Sequence, residues 1–214
     1  MKQILGHVLE IHEVFPEYYD YIRNFEGTLT FDDGLYSQYQ FLKDNPEECK
    51  RSIVFISPKT VRNELEYPYD KVVVLCDVAH AMFVMGDRKS YMSLTEIAEL
   101  KKLGVRIGYH SYNHLNISHR YTKASEKLKE IKFQVQMMLD YQNQFGIFDN
   151  VFCVPYNDYS ILNVYLKLLE KETEKVFDYV KDRTPLELLP EVPKEYKNLY
   201  NRKMFSIDRL PFYI

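Results

Sequence analysis

Two short segments hold the residue types that could do chemistry: Thr30-Phe31-Asp32-Asp33-Gly34 and, further along, His110-Ser111-Tyr112-Asn113-His114. Together they offer adjacent carboxylates and a pair of imidazoles. A hydrolytic metal site uses three protein ligands and keeps an open position for water and a substrate oxygen. One aspartate and two histidines meet that count. Neighbouring residues at the end of a strand point in different directions. One carboxylate can therefore bind an ion while the other takes a proton from water. His110 and His114 stand at i and i+4, which puts both rings on one side of a helical turn or compact loop.

The elements that must position these residues are legible around them. Gly27-Thr28-Leu29-Thr30-Phe31 reads as a short buried strand stopped by Gly34, and Val105-Arg106-Ile107-Gly108-Tyr109 as a second strand leading into the histidines. A helix is expected over Tyr36 to Asp44, ended by Pro46, then a strand over Ser52 to Ile56 and another apolar run over Val72 to Leu75. Ser93-Leu94-Thr95-Glu96 is a capping box, with Gly104 suited to the position just past that helix. Leu128, Ile131, Val135, Met138 and Leu139 recur at helical steps and predict a long helix from about Lys123 to Gln144, before Gly146. Val151 to Val154 reads as a strand, Ile161 to Lys175 as a helix, and Met204 to Ile207 as a last strand. Arg183 to Lys197, with its prolines and charges, is expected to be a long surface loop. Alternating strands and helices predict an α/β domain with a mainly parallel sheet or barrel, whose sites form at the C-terminal ends of strands. Both clusters fall there.

Composition bounds the rest. With 214 residues, 46% of them hydrophobic, the chain is expected to form one compact unit over residues 1–214. A net charge of −3 without a clustered Lys/Arg stripe argues against nucleic acid as the partner. The first twenty residues mix charges with apolar residues and do not read as a signal peptide or membrane span. Cys49, Cys76 and Cys153 are 3 widely spaced cysteines, neither a disulfide framework nor a Cys-x-x-Cys knuckle, so a reducing, cytoplasmic setting is the expectation. Tyr 19, Phe 13 and Trp 0 make an unusual aromatic set, for which buried packing is the commoner use.

The first motif and the whole block from Ser93 to His114, through its lead-in helix and strand, resemble the first two motifs of the polysaccharide deacetylase family, the NodB-homology carbohydrate esterases. Phe152-Cys153-Val154-Pro155-Tyr156-Asn157 resembles the family's third motif, Phe-Arg-x-Pro-Tyr-Gly. The resemblance spans residues 27 to 157. It implies a distorted (β/α) barrel of about seven strands with one catalytic divalent metal, zinc first and cobalt, nickel or iron as substitutes. By motif, Asp32 would be the catalytic base, Asp33, His110 and His114 the metal ligands, and the Tyr156 N–H an oxyanion donor. The implied reaction removes an N-acetyl or O-acetyl group from a sugar or polysaccharide. A glycan-binding domain without activity and an amidase for a small non-sugar amide are the alternatives on the same scaffold.

The chain departs from that pattern at three places. Cys153 stands where the family has an arginine, the absence of tryptophan removes the fourth motif's Asp-Trp pair, and no histidine follows His119 to act as the C-terminal general acid. Arg209, in Ile207-Asp208-Arg209-Leu210, is expected to restore the lost positive charge beside Asp32. His7, His12 and His119 read as ordinary structural or solvated histidines, and His80 as a loop histidine that could reach the site.

Overall fold

The computed structural model describes residues 1–65 and 71–193. Its centre is an eight-stranded sheet, parallel at every pairing: β1 (Lys2–Gln3), β2 (Val8–Ile11), β3 (Thr28–Phe31), β4 (Ser52–Ile56), β5 (Arg106–Tyr109), β6 (Val151–Phe152), β7 (Asp178–Tyr179) and β8 (Thr184–Pro185). The strands lie in the order β1-β7-β6-β5-β4-β3-β2-β8 and curl into a half-barrel, the distorted barrel the motifs imply, left open between β1 and β8. Helices α1 (Tyr19–Asn24), α2 (Tyr36–Asp44), α3 (Cys76–Val84), α4 (Leu94–Lys102), α5 (Ile117–Arg120), α6 (Ala124–Phe145) and α7 (Tyr159–Thr173) fill the connections. Among the described residues no helix is long and apolar enough to cross a membrane.

Strand alternation splits the sheet into two faces. Leu9, Ile11, Leu29, Phe31, Val54, Ile56, Ile107, Tyr109 and Phe152 point outward and merge with the buried faces of the helices into one large core. The residues between them point inward, where Ile53, Phe55, Val151 and Cys153 form a much smaller cluster with Val180. Glu10 and Thr30 share that inner parity. Continuing the same period past the strand ends brings His12, Asp32, His110 and Cys153 to the inner rim.

The boundaries follow local signals where those are strong. α2 spans its expected residues, and Ser93 caps α4 by accepting from the Glu96 N–H at 3.3 Å while Glu96 accepts from the Ser93 N–H at 2.8 Å. Gly146 ends α6 in the left-handed conformation, φ 65°, as a glycine there should. The α6 stripe is narrower than its spacing implied, because Ile131, Val135 and Met138 are buried whereas Leu128 is 42% exposed. Val72 to Leu75 forms no strand, and its extended end instead leads into α3, which the sequence reading lacked. The expected strand over Met204 to Ile207 lies outside the described residues.

β5 leads directly into His110, and Gly108 within it admits the Phe55 ring from β4. A Cβ at that position would stand 2.5 Å from Phe55 Cδ1 and 3.0 Å from Val151 Cγ1. Gly108→Ala is therefore expected to destabilise the fold by about 1–3 kcal/mol through overpacking. Urea unfolding checks this; an unchanged midpoint would contradict the packing of this face.

Candidate metal centre

Asp32 and Asp33 follow β3 directly, and the backbone turns them apart. Asp32 continues the strand, its N–H donating to Ile11 O at 2.9 Å, whereas Asp33 takes a left-handed conformation at φ 76°. That reversal aims the second carboxylate away from the barrel interior and toward the loop after β5. Ser111 (φ 59°) and His114 (φ 55°) in that loop, and Tyr156 (φ 59°) and Asn157 (φ 52°) after β6, are also left-handed. Non-glycine residues held this way cost about 1–3 kcal/mol each, and they gather where function fixes geometry.

The histidine segment is a compact loop. The Ser57 hydroxyl donates to His110 O at 2.6 Å, and the His114 N–H donates to Ser111 Oγ at 3.2 Å. Gln134 reaches over from α6, accepting from the Tyr112 N–H at 2.7 Å and donating to Asn113 Oδ1 at 2.5 Å. Nδ1 of His110 lies 3.0 Å from Cys153 O, which fixes it as the protonated nitrogen and turns Nε2 toward the aspartates.

Asp33, His110 and His114 thus converge, each offering a ligand atom within 4.8 Å of the others. Nε2 of His114 stands 2.9 Å, and Nε2 of His110 3.5 Å, from Asp33 Oδ1. Two ligands on one tetrahedral ion, each about 2.0–2.1 Å from it, lie about 3.3 Å apart. Oδ1 of Asp33 is buried without an aligned hydrogen-bond donor among the described residues, while Oδ2 accepts from the Cys76 thiol at 3.0 Å. The donor set and the orphaned oxygen together fit a divalent cation. Burial would raise the Asp33 pKa, but His114 and His110 outweigh it and hold the carboxyl well below its usual range.

Asp32 has a different partner. Arg183 forks onto it, Nη1 donating to Oδ1 at 2.6 Å and Nη2 to Oδ2 at 2.7 Å, and Nη2 also reaches Glu10 Oε1 at 2.7 Å. Burial would raise the Asp32 pKa; Arg183 and His110 reverse the sign and lower it. The guanidinium is itself buried, resting 3.2 Å from Thr30 Oγ1 inside the half-barrel. Arg183 thus fills the place expected for Arg209, which lies outside the described residues. The segment starting at Arg183 begins as an inward-facing residue leading into β8, where a surface loop was expected. Cys153 occupies the vacated side, its Sγ 4.0 Å from Asp32 Oδ2.

Three more side chains join the rim, His80 as the sequence allowed and Cys76 and His12 beyond the expected set. His80 lies on α3, its ring 5.0 Å from that of His114; burial first and His114 second push its pKa down to about 4, so it is neutral at neutral pH. Cys76 begins the same helix. His12 follows β2 and, with Glu10 and Asp32, offers a ligand atom within 4.8 Å of the other two. Tyr156 packs its ring 4.7 Å from that of His114 and remains 48% exposed at the rim. His7 and His119 are exposed, as expected.

Because Asp32 is held below its usual range, its contribution to stability is present above the unfolded carboxylate value of about 3.9 and is lost as pH falls through the lower folded value. Arg183→Met would leave Asp32 and Glu10 buried without their cation, at an expected cost of about 3–5 kcal/mol at pH 7. In that variant burial and the neighbouring carboxylate raise the Asp32 pKa, so the deficit should shrink at pH 5, where the carboxyl can protonate. Denaturant unfolding of both proteins at the two pH values checks this; an equal deficit at both would contradict it.

No protein-family model and no curated relative matches the chain. Among solved structures it is similar to Streptococcus pyogenes deacetylase PplD in complex with acetate, at 16% sequence identity and a TM-score of 0.45, over 90% of this chain and 79% of that one.

Proposed function

We propose that the chain is a metal-dependent hydrolase that removes N-acetyl or O-acetyl groups from a sugar or polysaccharide. The observation that carries this reading is the division of labour between neighbouring carboxylates: Asp33 faces His110 and His114, whereas Asp32 is gripped on both oxygens by Arg183. Asp33, His110 and His114 would hold one divalent ion, zinc by the histidine and carboxylate donors, with cobalt, nickel or iron as substitutes. When bound, that ion supplies an acidified water and polarisation of the acetyl carbonyl.

The chain's own groups do the rest. Asp32 takes the proton of the attacking water, and the Arg183 fork fixes the direction of its lone pairs. The Tyr156 N–H, at the strand-end rim in a left-handed backbone, would donate to the oxyanion that develops on the acetyl carbonyl oxygen. Cys76, by fixing Asp33 Oδ2, leaves Oδ1 to face the imidazoles.

The test is acetate release from an N-acetylated amino-sugar oligomer, with metal content measured on the same samples. Asp32→Asn is expected to lower turnover by about 10²-fold or more while the metal stays. His110→Ala with His114→Ala is expected to abolish both. Metal content indifferent to the histidine pair would sink the ligand assignment, and an Asp32→Asn variant that sheds its metal while Asp33→Asn keeps it would exchange the two roles.

A further inference from the structure

The reaction needs a proton for its leaving amine, and the chain has no histidine beyond His119 to supply one. We infer that His12, one residue past β2, is the proton donor to the leaving group; the inference rests on the hydrolase reading above. Register places it there. β2 and β3 pair in parallel with Glu10 opposite Thr30 and Ile11 opposite Phe31, so the next inward positions are His12 and Asp32, side by side on the rim. A ligand atom of His12 lies within 4.8 Å of those of Asp32 and Glu10, and the residue as a whole is half-buried. The backbone is pinned as well, since Gln38 Nε2 donates to His12 O at 2.6 Å and to Asp32 O at 2.5 Å. One amide thus locks the two strand ends to each other.

The surroundings favour the imidazolium. Asp32 and Asp33 face it from the end of β3, Glu10 from its own strand, Glu13 from the segment after it, and Glu187 from the turn at Leu186–Leu188. Burial lowers the His12 pKa, but Asp33, Asp32, Glu10 and Glu13 outweigh it and raise it above the ordinary histidine value. His80, the other imidazole near the rim, lies on α3 with its ring against that of His114 at 5.0 Å, away from β2.

The protons balance. Water loses one proton to Asp32 and adds its oxygen to the acetyl carbon. The C–N bond then breaks, its electron pair stays on nitrogen, and His12 gives that nitrogen a proton. Asp32, now protonated, stands next to His12, now neutral, and proton transfer between them restores both for the next turnover.

A leaving-group comparison tests this. Zinc-loaded wild type and His12→Gln are assayed on an N-acetylglucosamine oligomer and on 4-nitrophenyl acetate, whose phenolate leaves without a proton. The variant is expected to lose about 10²-fold or more on the amide and less than about threefold on the ester, with metal content unchanged. Equal losses on both substrates, or none on the amide, would overturn the assignment. Wild type that binds metal but releases no acetate from the amide would overturn the hydrolase reading itself, and His12's role with it. A second readout needs no turnover: imidazole ¹⁵N shifts of the metal-free protein should show His12 titrating above the usual value of about 6.5 and falling in Asp32→Asn. A His12 that titrates below that value would also overturn it.

Discussion

The interior charge cluster of Glu10, Asp32 and Arg183 is the constraint on which the site depends. Two carboxylates on adjacent strands point into the same buried space, at 5% and 2% exposure. Like charges about 4 Å apart repel by about 4 kcal/mol at an effective dielectric of 20, beyond the cost of desolvating each. A single guanidinium offsets both terms because its planar fork can serve two acceptors at once, which an ammonium on a flexible stem does less well. Burial presses the Arg183 pKa down, but the Asp32 and Glu10 carboxylates raise it further, so the cation persists. The same contact ties the late β8 segment to β2 and β3, through Glu10, Thr30 and Asp32.

Around that cluster the parallel sheet does the gathering. All strands run the same way, so their C-terminal ends share one rim, and alternation sends every second residue inward. His12, Asp32, His110 and Cys153 reach the rim by parity alone. Asp33 does not, and its left-handed backbone turns it to meet His110 and His114. Strain therefore accomplishes what periodicity cannot: it separates two adjacent carboxylates into different electrostatic settings, one under a guanidinium and one under two imidazoles. The short inner cluster leaves room for this, since Gly108 yields its side-chain volume to Phe55.

The sequence was most informative where a local signal is complete within a turn or a strand. The capping box at Ser93, the left-handed glycine after α6, and the strand-then-Asp-Asp-Gly pattern each satisfy backbone hydrogen bonds or φ requirements through residues a few positions apart. β1, β7 and β8 are two residues each and β2 is four. They become strands because a neighbouring edge accepts their hydrogen bonds. α3 was missed for a related reason, since its Val78 and Val84 are exposed and blur any apolar stripe, and its N-terminal Cys76 N–H is satisfied from afar by Glu13 Oε2 at 3.2 Å.

The sequence by itself offered the candidate ligands, adjacent carboxylates after one strand and a histidine pair after another, and put Cys153 where the resembling motif has an arginine. Only the tertiary structure decided what stands in the gap. Arg183 and His12 carry no local signature, because a buried ion pair and a strand-end imidazole are defined by which distant strands lie side by side. Sequence spacing records bonds along the chain, whereas the guanidinium on Asp32 is chosen by charge and desolvation across the barrel interior, which exist only once β8, β2 and β3 are in register.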